Sequence, residues 1–183
     1  DITLTSKNNN GNALEIHSND KSTTTWDVTS GLFNGSNSST NITNKNDGNL
    51  VFRVGYNDDS LSPSETASAR AGIYNYGKTT IDANDGDMLM DIYGGYMAGG
   101  MYSSSNGKLT AKNIDQLEIN VDYAKAAGIT YTNMTARESA YGLQGNGGTV
   151  DVVANNAVIN ISNQNSEAPT LQPAVSAGVM SMH

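Results

Sequence analysis

The densest acidic run in the chain is Asp82-Ala-Asn-Asp-Gly-Asp87, with Asp91 close behind and Asp115 further on. Paired carboxylates are what polysaccharide hydrolysis needs, one kept protonated by burial and one ionised across the scissile bond. This run is hydrophilic and turn-like. Those traits work against the desolvation that raises a carboxyl pKa, so the run reads as a solvated turn. It does not fit an EF-hand loop either. Counting from Asp82, Gly86 falls at position 5 instead of 6, and Tyr93 stands at position 12, where a carboxylate is needed. The Gly-Gly-x-Gly-x-Asp phrase of calcium-binding β-rolls is missing, and no metal or cofactor is expected.

Nucleophilic chemistry lacks its parts. There is no cysteine, and the two histidines are His17 and the terminal His183. No Gly-x-Ser-x-Gly elbow occurs, and Gly94-Gly95 and Gly145-Asn-Gly-Gly148 match no phosphate loop. His17 follows Leu14-Glu-Ile16 and reads as an outward polar residue. Tyrosine is the more informative type, with nine against two Phe and one Trp. Tyr74 and Tyr102 fall at equivalent repeat positions, and Tyr56 and Tyr123 each lie six residues after the first Leu of an alternating run (Leu50, Leu117). Such a ladder offers rings and hydroxyls to a sugar or a partner protein, or simply stacks coil on coil. With Asp58, Asp59, Asn133 and Arg137 from the irregular segments beside them, these four tyrosines are the candidate ligand-binding residues. Trp26 reads as a core or cap residue.

These residues are carried by a chain of 183 residues, a length that suits one domain. Hydrophobic residues make up 37% and charged residues 15%, so polarity comes from Asn, Ser, Thr and Gly. That is not the low-hydrophobicity, high-charge composition of disorder. The net charge is −8, with ten scattered cations and no basic stripe. Nucleic acid is therefore excluded as an expected partner, since the electrostatic term that dominates such binding would be repulsive. No apolar run approaches the ~20 residues of a membrane helix, so direct membrane insertion is not expected. The absence of cysteine excludes a disulfide framework and suits a protein that crosses an envelope unfolded.

Helix signals are scarce. Ser64-Glu-Thr-Ala-Ser-Ala-Arg-Ala71 alone has helical composition, enough for a turn or two. Elsewhere the chain alternates over short runs, as in Ala13-Leu-Glu-Ile16, Leu50-Val-Phe-Arg-Val54, Leu117-Glu-Ile-Asn-Val121 and Ala157-Val-Ile-Asn-Ile161. Such runs bury one face of a strand and wet the other. A small residue, any residue, Gly and an apolar residue recur at Ala98-Gly-Gly-Met101, Ala126-Ala-Gly-Ile129, Ala140-Tyr-Gly-Leu143 and Ser176-Ala-Gly-Val179, with Arg70-Ala-Gly-Ile73 as a variant. A Gly turn and a Thr- or Val-bearing strand follow: Gly77-Lys-Thr-Thr-Ile81, Gly107-Lys-Leu-Thr110, Gly147-Gly-Thr-Val150. The alternating strand comes next, with Leu89, Leu117 and Val158 near its start. Gly72, Gly100 and Gly128 are spaced by 28 residues, as are Leu89 and Leu117. The irregular excess falls in 57–68, 133–139 and 162–173, which hold all three prolines, residues that cannot donate to a strand ladder.

Repeats of this length, built of short strands and tight turns, predict a β-solenoid. Ile73, Met101, Ile129, Leu143 and Val179 would form one internal column. An antiparallel sandwich also uses short alternating strands but gives no reason for the 28-residue self-similarity.

The phrases Ala140-Tyr-Gly-Leu-Gln-Gly-Asn-Gly-Gly-Thr-Val150, Ala71-Gly-Ile-Tyr-Asn-Tyr-Gly77 and Lys112-Asn-Ile-Asp-Gln-Leu-Glu-Ile-Asn-Val121 resemble the degenerate repeats of bacterial autotransporter passenger domains. The resemblance covers Arg70 to the C-terminus; the first seventy residues share only its composition. It implies a right-handed parallel β-helix, export through an outer-membrane barrel to the bacterial cell surface, and a role in adhesion or aggregation. The signal peptide and C-terminal barrel of such proteins are absent from this sequence, so the chain reads as a fragment of a longer passenger.

The sequence thus predicts an all-β fold, a parallel β-solenoid of about five or six irregular coils with loop insertions, in a single domain over 1–183. The expected function is non-enzymatic: a bacterial adhesin module that attaches to a host or bacterial surface protein or glycan. Self-association is the alternative, and a polysaccharide-degrading β-helix enzyme ranks behind it.

Overall fold

The computed structural model describes residues 2–6, 11–18, 28–57, 62–63, 69–93, 97–123, 139–163 and 175–182. The chain winds as an all-β parallel solenoid with three faces. On the first face lie β1 (Ile2–Ser6), β4 (Ser39–Asn44), β9 (Lys78–Asp82) and the leading parts of β12 (Lys108–Tyr123) and β14 (Thr149–Asn163). The second carries β2 (Asn12–Ser18), β5 (Asn49–Val54), β10 (Met88–Tyr93) and the trailing parts of β12 and β14. The third carries β3 (Val28–Asn34), β8 (Ala69–Asn75), β11 (Met97–Ser104), β13 (Ser139–Asn146) and β15 (Val175–Met182). All these pairings are parallel. A small antiparallel pair, β6 (Tyr56–Asn57) with β7 (Ser62–Pro63), branches off after β5. Among the described residues there is no helix, and so none long and apolar enough to cross a membrane. The helical composition of 64–71 ends in strand β8 from Ala69 onward, and 64–68 lie outside the described residues.

Alternation fills one core from three sides. Leu50, Phe52, Val54, Met88, Met90, Ile92, Leu117, Ile119 and Val121 point in from the second face, Ile42, Ile81, Leu109 and Ala111 from the first, and Ile73, Ala98, Met101 and Ala140 from the third. Each large side chain so buried contributes about 2 kcal/mol of transfer free energy. The three middle courses are sealed except at Leu143, which is only partly buried. The first and last are half-covered: Leu14, Ile16, Leu32, Ile159 and Ile161 only partly enter the core. This is the expected class, built as stacked courses that none could form alone.

The register revises three readings of the repeat. First, Met88 and Ala157, not Leu89 and Val158, stand in the inward column with Leu50 and Leu117. Leu89 and Val158 face outward, since a shift of one residue moves a side chain to the opposite face. Second, the internal column runs Leu32, Ile73, Met101, Leu143, Val179. Met101 pairs directly with Leu143, and Ile129 lies outside the described residues. Third, the first seventy residues supply full courses. Thr29-Ser-Gly-Leu32 is another small-x-Gly-apolar phrase, and Gly31 falls opposite Gly72.

Glycine recurs down this column because the backbone there packs tightly against the next course and the second face. A Cβ on Gly100 would come within 2.6 Å of both the Gly142 carbonyl oxygen and Ile119 Cγ2. No side chain fits that gap. The bend between the third and first faces is locked from inside by an amide ladder. Asn34 Nδ2 donates to Asn75 Oδ1 (3.0 Å), Asn75 Nδ2 donates to Ser103 Oγ (3.1 Å), and Thr40 and Thr79 hydroxyls donate to the two amide oxygens. At the bend between first and second faces, Asn44 Nδ2 holds the carbonyls of Gly48 (2.5 Å) and Ala83 (3.2 Å), and Asn84, Asp85 and Asn113 take left-handed backbone conformations. Short polar side chains tolerate that region best among non-glycine residues.

Candidate functional site

The three edges of the prism are unequal. From first face to second the chain needs at most five residues, and β12 and β14 simply bend. From third to first it needs two to four. From second to third the connections are 9, 14, 3, 15 and 11 residues long in chain order. Four of the five exceed the three residues with which β10 reaches β11, so every long connection leaves from one edge. The expected binding loops, 57–68, 133–139 and 162–173, all belong to this edge. The structure gathers their anchor points on one side, and most of their residues lie outside the described ones.

Arg70 builds the base of that edge. It occupies the inward position that Ala98 and Ala140 hold in the following courses. Its guanidinium is fully buried and donates from Nη1 to the carbonyls of Tyr93 (2.5 Å) and Gly55 (3.3 Å). Gly55 has φ +88°, and a Cβ there would collide with both the Tyr93 oxygen and Arg70 Nη1. One buried charge thus ties the root of the 14-residue connection to the end of the next course's strand. A buried guanidinium is tolerated only with such acceptors around it.

Outside the third face stands an aromatic column. Phe33 stacks on Tyr74 (5.9 Å, 6°), and Tyr74 stacks on Tyr102 (4.5 Å, 22°). Tyr76 and Tyr141 lean on it at tilted angles. Tyr74 and Tyr102 share a hydroxyl-lined seam: Tyr74 and Tyr76 hydroxyls bond at 3.2 Å, and Asn146 Nδ2 donates to Tyr102 Oη at 3.1 Å. Burial, then the bond to Tyr76, pushes the Tyr74 phenol far above its ordinary pKa. Tyr74 and Tyr102 are therefore brought together as the repeat predicts, but both are buried and their faces are occupied by each other. The open ring is Phe33, which sequence reasoning missed.

The outer side of the second face carries a charged column. Arg53 bridges Glu15 and Asp91 (3.4 Å to the latter), Asn120 donates to Asp91 (3.0 Å), and Asn160 donates to Asn120 (2.8 Å). Hydrogen bonds from His17 and Asn12, with Arg53 beside them, hold the Glu15 carboxyl below its usual range. The acidic run is spent the same way. Asp82 feels some burial, which would raise its pKa, but Asn113 Nδ2 (2.8 Å), Lys112 Nζ (3.3 Å) and the Asn84 amide outweigh it and lower the pKa. Asp87 accepts the Gln116 amide (3.2 Å), Asp115 accepts Asn155 (3.1 Å), and the Asp85 amide donates to the Asn113 carbonyl. Each aspartate sews its course to the next. For Asp82 the shift runs opposite to the one a general acid needs. Among the described residues no group of three His, Asp or Glu converges as a metal site.

Of the other expected ligand residues, Tyr56 sits on β6, off the main faces, and Tyr123 ends the trailing part of β12 opposite Asn163. Asp58, Asp59, Asn133, Arg137 and Trp26 lie outside the described residues. The sequence missed the buried amide ladder and Arg70. Both had a signal: the third residue after each column glycine is Asn34, Asn75, Ser103, Gly145 and Ser181, short every time, and Arg70 stands where the recurring phrase otherwise has Thr29, Ala98, Ala140 and Ser176. No protein-family model, curated protein or solved structure matches this chain.

Proposed function

We propose that this chain is a non-enzymatic binding module of a bacterial surface adhesin, which holds a host or bacterial surface protein or glycan along one edge of a rigid solenoid. The observation that carries the reading is the concentration of all long connections at the edge between second and third faces, over a base fixed by Arg70. Insertions placed on one side of a repeat scaffold commonly form its binding face, and loops on a rigid frame commonly carry recognition. The outer polar columns and the net charge of −8 suit a protein exposed to water along its whole length. The resemblance to autotransporter passengers, carried by the repeat phrases, supplies the bacterial surface, export across the outer membrane and adhesion as the setting.

Replacement of residues 124–138 and 164–174 by three-residue connections, copied from the β10–β11 link, tests the reading. Circular dichroism should keep its β spectrum, because the strands on either side are paired independently of those segments. Binding of chain-coated beads to bacterial or epithelial cells should be lost. Undiminished binding by the shortened chain would overturn the assignment to this edge.

A further inference from the structure

The outer side of the second face holds a cavity of about 200 Å³ over β5, β10 and β12. On β10 and β12 it sits toward the bend with the first face, while the long connections leave from the other end of the second-face strands. Alternation sets three rows of outward side chains there. Val51, Leu89 and Glu118 are in register in the middle row, and Arg53, Asp91 and Asn120 form the row on one side. Asn49, Asp87 and Gln116 precede the core residues Leu50, Met88 and Leu117 and form the row on the other. The rows are used differently. Arg53, Asp91 and Asn120 are bonded to one another, and Arg53 also to Glu15. Among the described residues, the side-chain amides of Asn49 and Gln116 have no hydrogen-bond partner. Asp87 spends one oxygen on the Gln116 backbone amide (3.2 Å) and Glu118 spends one on Asn120 (3.0 Å), so each keeps the other. The floor between these groups is apolar: Val51 is 2% exposed, and Leu89 is half-buried. At this cavity the outer polar side chains stop sewing course to course and keep bonds to give.

We propose that this cavity binds one uncharged sugar ring of a glycan. A pyranose has an apolar C–H face and a rim of hydroxyls, each able to donate and to accept. Val51 and Leu89 offer a surface to the C–H face, the Asn49 and Gln116 amides both donate and accept, and the two carboxylates accept. A few placed polar groups around an apolar floor are the usual composition of a small-molecule site. The volume of about 200 Å³ falls below the ~300–1,000 Å³ of sites that enclose a drug-sized ligand. It takes one ring, and the rest of the glycan runs out over the face. Charge narrows the class. Arg53 is matched by Glu15 and Asp91, so the charges left at the cavity are the carboxylates of Asp87 and Glu118. A uronic acid, a sialic acid or a sulfated sugar would be repelled. Nor do the two carboxylates share a position. Asp87 lies beside Gln116 and Glu118 opposite Leu89, which sets them diagonally, with Cα atoms about 8 Å apart at ~4.8 Å between strands and ~3.3 Å per residue. They flank a ring and serve different hydroxyls, instead of converging on one cation.

Titration of the chain with neutral trisaccharides of glucose, galactose, mannose and N-acetylglucosamine, followed by methyl NMR, tests this. At least one should move the Val51 and Leu89 methyl resonances and leave those of Val179, on the third face, in place. For so few contacts the Kd should be of the order of 1 mM. Asn49→Ala and Gln116→Ala should each weaken binding about fivefold with an unchanged β spectrum, since neither amide holds another residue. Leu89→Glu, which replaces part of the floor by a third carboxylate, should abolish the Val51 shift. No shift with any of the neutral sugars, tighter binding of a galacturonate or glucosamine trisaccharide, equal shifts at Val179, or full affinity in the Asn49→Ala/Gln116→Ala double variant would each overturn the proposal. The long connections are intact in all these chains, and the cavity residues are intact in the chain with shortened connections. Failure of this proposal therefore reads separately from failure of the edge assignment.

Discussion

Asn75 makes the sharpest test of what holds the courses together. Its side chain uses its full capacity: Oδ1 accepts from Asn34 Nδ2 (3.0 Å) and Thr79 Oγ1 (2.9 Å), and Nδ2 donates to the Gly77 carbonyl (3.0 Å) and Ser103 Oγ (3.1 Å). Asn75 itself is 0% exposed, so water cannot replace those partners. Asn75→Ala removes four bonds with a net value of about 1 kcal/mol each. Part of the loss is recovered, because Asn34 Nδ2 keeps Thr79 Oγ1 at 3.1 Å. The expected cost is about 2–4 kcal/mol, a large share of a stability of the order of 5–15 kcal/mol. Asn120→Ala is the control. Asn120 also makes three side-chain bonds, but on the wet outer face, where its loss should cost under about 1 kcal/mol. Asn75→Asp separates shape from donor: it keeps both acceptors, faces the Gly77 carbonyl with a buried charge, and should recover stability as acid protonates it. Urea unfolding followed by circular dichroism gives the midpoints, with the slope checked for equality, since stacked repeats can unfold course by course. A cost for Asn75→Ala below about 0.5 kcal/mol, or no greater than that of Asn120→Ala, would refute the reasoning that the buried ladder, more than the outer one, fixes the bend.

Three further outcomes are expected. A Cβ on Gly99 would collide with the Tyr141 ring, so Gly99→Ala should cost about 1–3 kcal/mol alone and much less on a Tyr141→Ala background, a coupling that a double-mutant cycle of urea midpoints measures. The carboxyls of Glu15 and Asp82 are held below their unfolded values, so their contribution is present above about pH 4 and fades as pH falls through their lower folded values. Unfolding midpoints at about pH 7 and about pH 3 should therefore differ less in Glu15→Gln/Asp82→Asn than in the parent. Gly55→Ala, which meets positive φ and two close contacts at once, should cost about 2 kcal/mol or more by thermal unfolding.

The fold class was legible because it rests on repetition. The small-x-Gly phrase, the Gly turn and the alternating strand recur in fixed order, and the register pairs Lys78 with Lys108 and Lys108 with Thr149 as that order requires. The errors came where alternation loses contrast. Met88-Leu-Met90 and Ala157-Val-Ile159 are apolar at successive positions, so polarity could not say which residue faces in. Gly128 lies outside the described residues, and the next phrase in register with that of Gly100 is the one carrying Gly142. The site was less legible. Asn34 and Asn75 are 41 residues apart in a chain full of asparagine, and only alignment on the column glycines sets them side by side. Tyr74 and Tyr102 were rightly paired, but sequence could not tell that their rings would cover each other.

The irregular period has a structural reason. Two of the three bends are closed by side chains that reach across courses: Asn34, Asn75 and Ser103 at one, Asn44 with the turn carbonyls at the other. An added residue there would move an amide off its partner and leave buried polar groups unpaired, at about 1–3 kcal/mol each. The third bend has no such ladder among the described residues. Arg70 instead holds backbone carbonyls at the roots of the connections, Gly55 and Tyr93, and leaves what lies between them free to vary in length. Loop closure is inexpensive, about 0.6 kcal/mol for each doubling of length. Insertions therefore accumulate at the one edge where they cost least. The scaffold's energetics and the proposed place of recognition coincide for the same reason: the bend that stability does not fix is the bend that binding can use.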